Sequence, residues 1–262
     1  SSIDGKDAGG KTPEQVNNIL RGFPGTEVEL EIRRPGEPED FKISLTRTEV
    51  EVDNVPYYGM LNEEVGYVAL TTFTRNAGKN VAGALKSLQA ENDNLKGVVF
   101  DLRGNGGGLL TEAVNVSNVF VPRGEVVVTT KGKVKEWDRT FSTMGNSTDE
   151  DIPVVVLIND RSASASEIVS GVLQDYDRGV LMGQRSYGKG LVQNTRDIGY
   201  NSKLKLTTAK YYIPSGRCIQ SVEYEDGEPV DIADDRRTPF TTRNGRKVLD
   251  GGGVKPDVVV DK

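Results

Sequence analysis

Three serines alternate with alanines in residues 162–167, which read Ser-Ala-Ser-Ala-Ser-Glu. A serine hydroxyl can act as a nucleophile when a neighbouring base takes its proton. The most common base is histidine, and this chain of 262 residues contains none. A nucleophilic serine would therefore need another base. Lysine can take that part when burial favours its neutral form.

Ser164 stands where a helix is predicted to begin. Residues 164–167 have the pattern of a capping box, with Ser164 at the N-cap. Because a helix N-terminus carries free N–H groups, a serine there lies beside donors that can stabilise an oxyanion. Ser162 and Ser166 are predicted to share one helical face, from which Ser164 points away. The alternative is that Ser164 only caps the helix, and the pattern alone favours this, because capping serines far outnumber catalytic ones.

A glycine-rich segment, RGNGGG at 103–108, follows a run of apolar residues typical of a buried strand. It matches neither of the glycine patterns that bind nucleotides, GxGxxG and GxxxxGK[ST]. Consecutive glycines let backbone N–H groups approach a ligand closely, which suits a second oxyanion donor. An anion-binding loop of another kind and a plain flexible turn remain as alternatives.

Lys189 is the candidate base, and it stands between Gly188 and Gly190 just after a predicted strand. Lys189 could act as the base if it is buried; the alternative, which the residues alone favour, is an exposed loop lysine. Gln193 could hold the amine by a hydrogen bond. In a straight strand, residues four apart are separated by about 13 Å. Contact with Gln193 therefore requires the chain to coil back, which the two glycines permit.

The composition excludes several other classes of function. Lys and Arg number 33 against 39 Asp and Glu, so the net charge of −6 does not favour nucleic acid or an anionic membrane surface. No apolar run approaches the roughly 20 residues that span a bilayer. A zinc site would need carboxylates almost alone, because Cys218 is the single cysteine. The acidic stretch 223–235 lacks the spacing of a calcium loop and is predicted to be a solvated loop. We expect no cofactor.

The chain is predicted to contain two parts joined by a linker at residues 48–59. In residues 1–47, a capped helix begins after Thr12, and two alternating strands flank a Pro-Gly turn, which together bury too little surface to be stable alone. From residue 60 onward, apolar strands alternate with amphipathic helices. Strands are predicted at 65–73, 96–102, 153–158 and 179–183, and helices near 81–88, 109–120 and 165–176. This order predicts an α/β fold with a mainly parallel sheet and a site at the carboxyl ends of its strands.

Several long motifs of this chain resemble one protein family. DLRGNGGGLL, SASASEIVSGVLQD and SYGKGLVQ, in this order, are similar to motifs of the carboxyl-terminal processing proteases, the tail-specific serine peptidases of the S41 type. YYIPSGRCIQ and LDGGGVKPDVVV resemble that family's C-terminal segments. The resemblance implies a crotonase- or ClpP-like βαβ protease core at 60–262. It also implies that residues 1–47 are the second half of a PDZ domain.

The resemblance also implies roles for individual residues. Ser164 would be the nucleophile and Lys189, which we then expect to be buried beside Ser164, the general base. Gln193 would support the lysine. The oxyanion hole would be formed by the N–H group of Ala165 and that of either Gly106 or Gly107. Asp175, at a helix end, matches an acidic position of the family. For Asp175 we expect a structural role, either in holding the helix terminus or in pairing with an arginine.

The activity implied by the resemblance is that of an endopeptidase with a Ser–Lys dyad. Its partners would be unfolded proteins and peptides with free C-termini. It would be located in the bacterial periplasm or at the cell surface, and it could form homo-oligomers. The family's PDZ domain grips a C-terminal carboxylate through a loop that precedes the stretch with which this chain begins, so we expect that loop upstream. The alternatives are a non-catalytic peptide-binding scaffold and, more distantly, a crotonase-type acyl-CoA enzyme. The latter does not explain Ser164 together with Lys189.

Overall fold

The computed structural model describes residues 2–49, 53–200, 202–225, 228–231 and 233–261. The chain divides into two units, Ser1–Asp53 and Asn54–Lys262. The first contains β1 (Ser2–Ile3), β2 (Lys6–Asp7), α1 (Pro13–Leu20), β3 (Glu27–Ile32) and β4 (Phe41–Thr46).

The first unit is a four-stranded antiparallel sheet with one helix. The strand order is β2-β1-β3-β4, and the predicted hairpin is the β3–β4 pair. The predicted capping box is present, because the side chains of Thr12 and Gln15 each bond the other's backbone N–H. Among the described apolar residues of this unit, those that are buried are Ile3 and Val28. The apolar alternation in β4 predicts a half-buried strand, and this is wrong for Ile43 and Leu45, which are exposed, so this unit does bury little surface.

The second unit carries the parallel sheet that the sequence predicts. Its elements are β5 (Tyr57–Met60), β6 (Val65–Ala69), α2 (Ala77–Glu91), β7 (Gly97–Asp101), α3 (Leu110–Phe120), β8 (Val126–Gly132), a 3₁₀ helix (Lys135–Trp137), β9 (Arg139–Ser142), β10 (Val154–Ile158), α4 (Ala165–Asp175), β11 (Val180–Gly183), β12 (Leu191–Asp197), β13 (Lys203–Tyr212), β14 (Val222–Glu225), β15 (Glu228–Asp231), a second 3₁₀ helix (Asp234–Arg236), β16 (Pro239–Thr241), β17 (Lys247–Leu249) and β18 (Val258–Val259).

The central sheet has the order β18-β11-β10-β7-β6-β5. All neighbours in it are parallel except β5, which pairs antiparallel with β6 at one edge. A second sheet, β12-β13-β8-β9, is antiparallel throughout. The strands β7 and β10 are apolar runs because both faces of a central parallel sheet are covered by packed elements, which leaves few side chains of either strand in contact with water.

Two further sequence predictions differ from the structure. The predicted linker at 48–59 is shorter, because Tyr57–Met60 already forms the edge strand of the central sheet; residues 50–52 lie outside the described residues. The acidic stretch 223–235, predicted as a loop, instead contains most of the β14–β15 hairpin and a 3₁₀ helix, with 226–227 and 232 outside the described residues.

Helix α4 is buried along its whole length rather than along one stripe. A helix that is buried all round must satisfy its polar side chains inside the protein. Glu167 and Asp175 are both on this helix, and their partners determine how the surrounding loops are held. In the part of the chain that the structure describes, no helix combines the length and the apolar character needed to cross a membrane.

Candidate active site

Three loops meet at the carboxyl edge of the central sheet. Because β7, β10 and β11 are parallel neighbours, the segments that follow them leave the sheet at the same edge. The glycine-rich segment follows β7, the serine segment follows β10, and the Lys189 segment follows β11. The sheet therefore brings together three motifs that are up to 88 positions apart in the sequence, from Asp101 to Lys189.

The three serines have different environments, but the prediction that Ser162 and Ser166 share one helical face is wrong, because α4 begins at Ala165 and Ser162 precedes it. Ser162 and Ser166 are fully buried, and their hydroxyls donate to backbone carbonyls at 2.8 Å: Ser162 to Leu102 O, just before the glycine-rich segment, and Ser166 to Asn105 O within it. Ser164 is only partly buried. Two of the serines therefore fasten loops, and Ser164 is the one that can be reached from outside.

Ser164 has a strained backbone. Its φ is 56° and its ψ is −112°, in a region that side chains other than glycine rarely adopt. Such strain costs about 1–3 kcal/mol and persists only where the surroundings impose it. A sharp, strained turn between a strand and a helix is also how a nucleophilic serine is presented in the α/β-hydrolase fold. Here β10 leads into that turn and α4 leaves it, so the next N–H, that of Ala165, is at the first position of the helix and has no intrahelical acceptor.

The glycine-rich segment packs directly against this turn. A Cβ on Gly107 would lie 2.9 Å from the Ser164 Cβ and 2.9 Å from the Ala165 nitrogen, so this position requires glycine, as does its φ of 98°. The Gly107 N–H donates to Asn105 Oδ1 at 2.9 Å. Gly106 is exposed with open space around it, and no hydrogen bond from its N–H is found among the described residues. Of the two glycines predicted as oxyanion donors, Gly106 is therefore the one with the available N–H.

Asn105 joins the glycine-rich and serine segments. Its side chain is fully buried and donates through Nδ2 to Leu70 O at 2.8 Å. Its carbonyl accepts from the Ala163 N–H at 3.0 Å and from the Ser166 hydroxyl at 2.8 Å. These bonds set the distance between the glycine segment and the Ser164 turn.

The start of the glycine-rich segment is held by Asp101 at the end of β7. Its carboxylate accepts from the Arg103 guanidinium, at 2.6 Å to Nη2, and from the Tyr67 hydroxyl at 2.6 Å. Burial acts to raise the pKa of Asp101, but the hydrogen bonds from Arg103 and Tyr67 outweigh it and the pKa is lowered. Asp101 is therefore an anionic anchor for the loop.

Glu167 ties the Lys189 segment to the Ser164 turn. Its fully buried carboxylate accepts four hydrogen bonds. Oε1 accepts from the Ser186 hydroxyl at 2.6 Å and the Gly188 N–H at 2.5 Å. Oε2 accepts from the Ser164 N–H and the Lys189 N–H, both at 2.8 Å. Burial raises the pKa of Glu167, and the four donors oppose that rise.

The shared oxygen of Glu167 fixes how far apart Ser164 and Lys189 are. Because both backbone nitrogens lie 2.8 Å from Oε2, they cannot be separated by more than twice that distance. The four-carbon side chain of lysine is flexible and long enough to bring its amine to the serine hydroxyl from there. The prediction that Lys189 lies beside Ser164 therefore agrees with the backbone geometry.

The prediction that Lys189 is buried is wrong, because its side chain is partly exposed. In this segment the flanking glycines, Gly188 and Gly190, are buried instead. A Cβ on Gly188 would lie 2.3 Å from Ser221 Cβ, and one on Gly190 would lie 2.4 Å from Gln220 N. These glycines let the backbone pack tightly, but they have no side chains to cover the amine.

Gln193 is not brought to the lysine by a helical turn. It lies in strand β12 and is exposed, and no hydrogen bond between its side chain and Lys189 is found among the described residues. The chain extends after Gly190 because β12 pairs with β13 from Leu191 onward. The support that the resemblance implies for Gln193 thus has no counterpart in this geometry.

Tyr211 is a further neighbour of Ser164. It is 8% exposed and lies near the end of β13, where its N–H donates to Gly190 O at 2.8 Å. Burial raises the pKa of Tyr211, and the neighbouring Ser164 hydroxyl opposes this by hydrogen bonding. A phenol thus faces the candidate nucleophile.

Comparisons with known proteins agree with this arrangement. The model of peptidase family S41 matches residues 64–229, which include all three loops. The chain belongs to peptidase family S41. It is 42% identical over 224 residues to a carboxy-terminal-processing protease of Bartonella bacilliformis, covering 85% of this chain and 51% of that protein. It is 34% identical over 264 residues to a protein of Staphylococcus aureus named "Probable CtpA-like serine protease", covering 100% of this chain and 45% of that protein.

Among solved structures, this S41 chain is similar to the photosystem II D1 C-terminal processing protease. The TM-score is 0.62 at 30% identity, over 99% of this chain and 62% of that structure. The predicted resemblance to the carboxyl-terminal processing proteases is confirmed. The chain spans about half the length of the curated S41 relatives it matches.

The acidic position at the end of α4 in this S41 chain forms a buried ion pair. Asp175 Oδ1 lies 3.0 Å from Arg217 Nη2, and both side chains are nearly inaccessible. Burial raises the pKa of Asp175 and Arg217 opposes the rise. An acid at a helix C-terminus is unfavourable for the helix dipole, so the arginine compensates locally. Asp175 also accepts from the Ser215 N–H at 2.9 Å, which holds the segment that follows Tyr211.

Replacement of Glu167 by Gln is expected to lower any hydrolytic activity about 10²-fold or more. The amide –NH₂ of the glutamine at this position would face N–H donors, so buried donors would be left unpaired at a cost of about 1–3 kcal/mol each. Glu112→Gln is the matched control. Glu112, on α3, is also buried, and its carboxylate accepts a hydrogen bond from the backbone N–H of Gly78 on α2 at 3.0 Å. The measurement is kcat/KM together with thermal unfolding of both variants. Equal activity of the two variants, both folded, would contradict the positioning role of Glu167.

Proposed function

We propose that this chain is the proteolytic part of a serine endopeptidase that uses Ser164 as nucleophile and Lys189 as general base. The observation that carries the proposal is the Glu167 carboxylate, one oxygen of which binds the N–H groups of both residues. The strained backbone of Ser164 and the membership of family S41 support it.

The proposed reaction proceeds through an acyl-enzyme. The neutral Lys189 amine takes the proton of the Ser164 hydroxyl as Oγ attacks the carbonyl carbon of the scissile bond. The N–H groups of Ala165 and Gly106 stabilise the oxyanion. The protonated lysine then gives its proton to the leaving amine as the C–N bond breaks. Water then attacks the ester carbonyl as the lysine takes its proton, the bond between that carbon and Oγ breaks to release the product acid, and the lysine returns the proton to Oγ.

Gln193 has a conditional part in this proposal. It lies on the strand that follows the Lys189 segment and lines a cavity together with Tyr211. Catalytic hydrogen bonds are often long or absent before substrate binds and tighten in the complex. We propose that Gln193 accepts a hydrogen bond from the Lys189 amine in that complex.

The substrate class and setting are part of the same proposal. The names of two relatives refer to processing at a C-terminus, and we propose unfolded or C-terminally recognised proteins as the substrates of this chain. We propose a crotonase- or ClpP-like core from about residue 60, and a partial PDZ domain in residues 1–47, in which a peptide would add as a further strand at an edge of the β2-β1-β3-β4 sheet. An extracytoplasmic location and homo-oligomers belong to the proposal as well.

The test is digestion of a reduced, unfolded protein, followed by mass spectrometry of the released peptides. We expect time-dependent cleavage by the protein and none by Ser164→Ala. A binding scaffold would instead retain the unfolded protein without cleaving it, and an acyl-CoA enzyme would act on a thioester. Binding without any new peptide would favour the scaffold and contradict the proposed function.

A further inference from the structure

A cavity of about 610 Å³ lies beside the Ser164 turn, between the glycine-rich segment and the antiparallel sheet. Gly108 and Leu109 form one side of it, and Tyr211, the neighbour of Ser164, forms another. Its apolar lining includes Leu110, Phe141 and Val192. A peptide whose carbonyl lies at Ser164 would place an adjacent side chain at this cavity.

Two arginines, Arg139 and Arg196, line this cavity. Neither forms an ion pair with a described carboxylate, whereas the partly exposed Arg103 and Arg246 pair with aspartates. Arg139 is oriented by its own loop, because Nη1 donates to Glu136 O at 2.7 Å and to Asp138 O at 2.8 Å.

The acids next to these arginines in the sequence have other partners. Asp138 Oδ1 accepts from the Gly132 N–H at 2.9 Å, and Asp197 Oδ1 lies 3.7 Å from the Lys203 amine. Two guanidinium groups therefore line one cavity without an internal counter-charge among the described residues. Each retains donors that match a carboxylate in geometry.

The surrounding sheet is basic although the protein is acidic. Residues 126–142 and 191–212 contain eight Lys and Arg against three Asp and Glu, whereas the whole chain has 33 against 39. A neighbouring cavity of about 620 Å³ is lined by Lys131, Lys133, Lys135 and Lys210. Clefts lined by one sign of charge raise the local concentration of oppositely charged ligands.

We propose that the Arg139–Arg196 cavity binds an acidic side chain, aspartate or glutamate, of the protein substrate within a few residues of the cleaved bond. The carboxylate pairs with the two guanidinium groups, and its methylene groups pack on the apolar lining. This inference rests on the proposed function and adds a substrate preference to it.

The test uses quenched fluorescent peptides that differ only in carrying Glu or Gln at one position, with each position within three residues of the scissile bond tried in turn. We expect the Glu peptide to be cleaved with a kcat/KM at least about 10-fold higher at one position, and this preference to fall as ionic strength rises. The Arg139→Gln/Arg196→Gln double variant is expected to lose the preference while it still cleaves the Gln peptide. Arg123→Gln, an exposed arginine that does not line the cavity, is the matched control and keeps it.

A second arm measures binding of the same peptides to the Ser164→Ala variant by fluorescence anisotropy, so that the inference is tested apart from catalysis. Equal cleavage and equal binding of Glu and Gln peptides at every position would overturn the inference and leave the proposed function intact. Cleavage of no peptide would contradict the proposed function. The binding arm would then test the inference by itself. In that arm, equal binding of the Glu and Gln peptides, or a Glu preference that persists in the double variant, would overturn the inference.

Discussion

Replacement of Ser164 by alanine is expected to lower kcat/KM on an unfolded protein by roughly 10⁴-fold or more, since loss of a serine nucleophile leaves only oxyanion and binding effects. The fold should be unchanged, because the Ser164 N–H bond to Glu167 is made by the backbone and does not need the hydroxyl. The measurement is initial rate against substrate concentration, with circular dichroism as a check on folding.

The other two serines are matched controls for this variant. Ser162→Ala and Ser166→Ala each remove a buried hydroxyl that donates to a carbonyl, so we expect a loss of about 1–3 kcal/mol in the free energy of unfolding. Their folded fractions should retain most of the activity. A folded Ser162→Ala protein with no activity, beside an active Ser164→Ala protein, would show that the nucleophile has been assigned to the wrong serine.

Replacement of Lys189 by arginine is expected to abolish cleavage at every pH at which the protein stays folded. The substitution keeps the positive charge, but a guanidinium group does not lose its proton in proteins and cannot act as the base. Lys189→Met should be equally inactive, because it has no proton acceptor of the required kind. The Lys189 N–H bond to Glu167 is made by the backbone, so both variants should fold. An active Lys189→Arg protein would exclude the lysine as general base.

Much of the central sheet could be predicted because its strands are continuous apolar runs. The prediction of a strand at 153–158 matches β10, and that of a helix at 165–176 matches α4 to within a residue. The antiparallel sheet was not predicted, because β12 and β13 are largely exposed and the apolar alternation in β13 is confined to its first four residues, 203–206. The two-residue strand β18 pairs with β11 across more than 70 positions, and such pairing leaves no local signal.

The candidate site was predictable in part, because local patterns in the sequence identify some of its residues. The capping pattern locates Ser164 at the start of α4, and the alternation of serines separates it from its buried neighbours. The approach of Lys189 depends on β10 and β11 being adjacent, which the residues alone do not specify, so this prediction came from the resemblance. The sequence assigns Glu167 only to the capping box. Its bonds to Gly188 and Lys189 depend on the tertiary structure.

Asn105 and Tyr211 were missed for different physical reasons. A single asparagine within a glycine-rich segment looks like a turn residue, and its bonds to Leu70 and to the serine segment are long-range. Tyr211 belongs to a strand whose position is set by pairing with β8 and β12. A signal was present for Asn105, because it is the one polar residue within GNGGG, but the pattern does not indicate a partner.

The most direct measurement of the central claim is covalent labelling with a serine-directed fluorophosphonate, followed by peptide mapping with mass spectrometry. The account predicts one adduct per chain, on Ser164, that forms in the native protein, is lost on unfolding before labelling, and is lost in Lys189→Arg. Ser162→Ala and Ser166→Ala should still be labelled on Ser164. An adduct on Ser162 or Ser166, or a native protein that hydrolyses peptides while Ser164 stays unlabelled, would contradict the account.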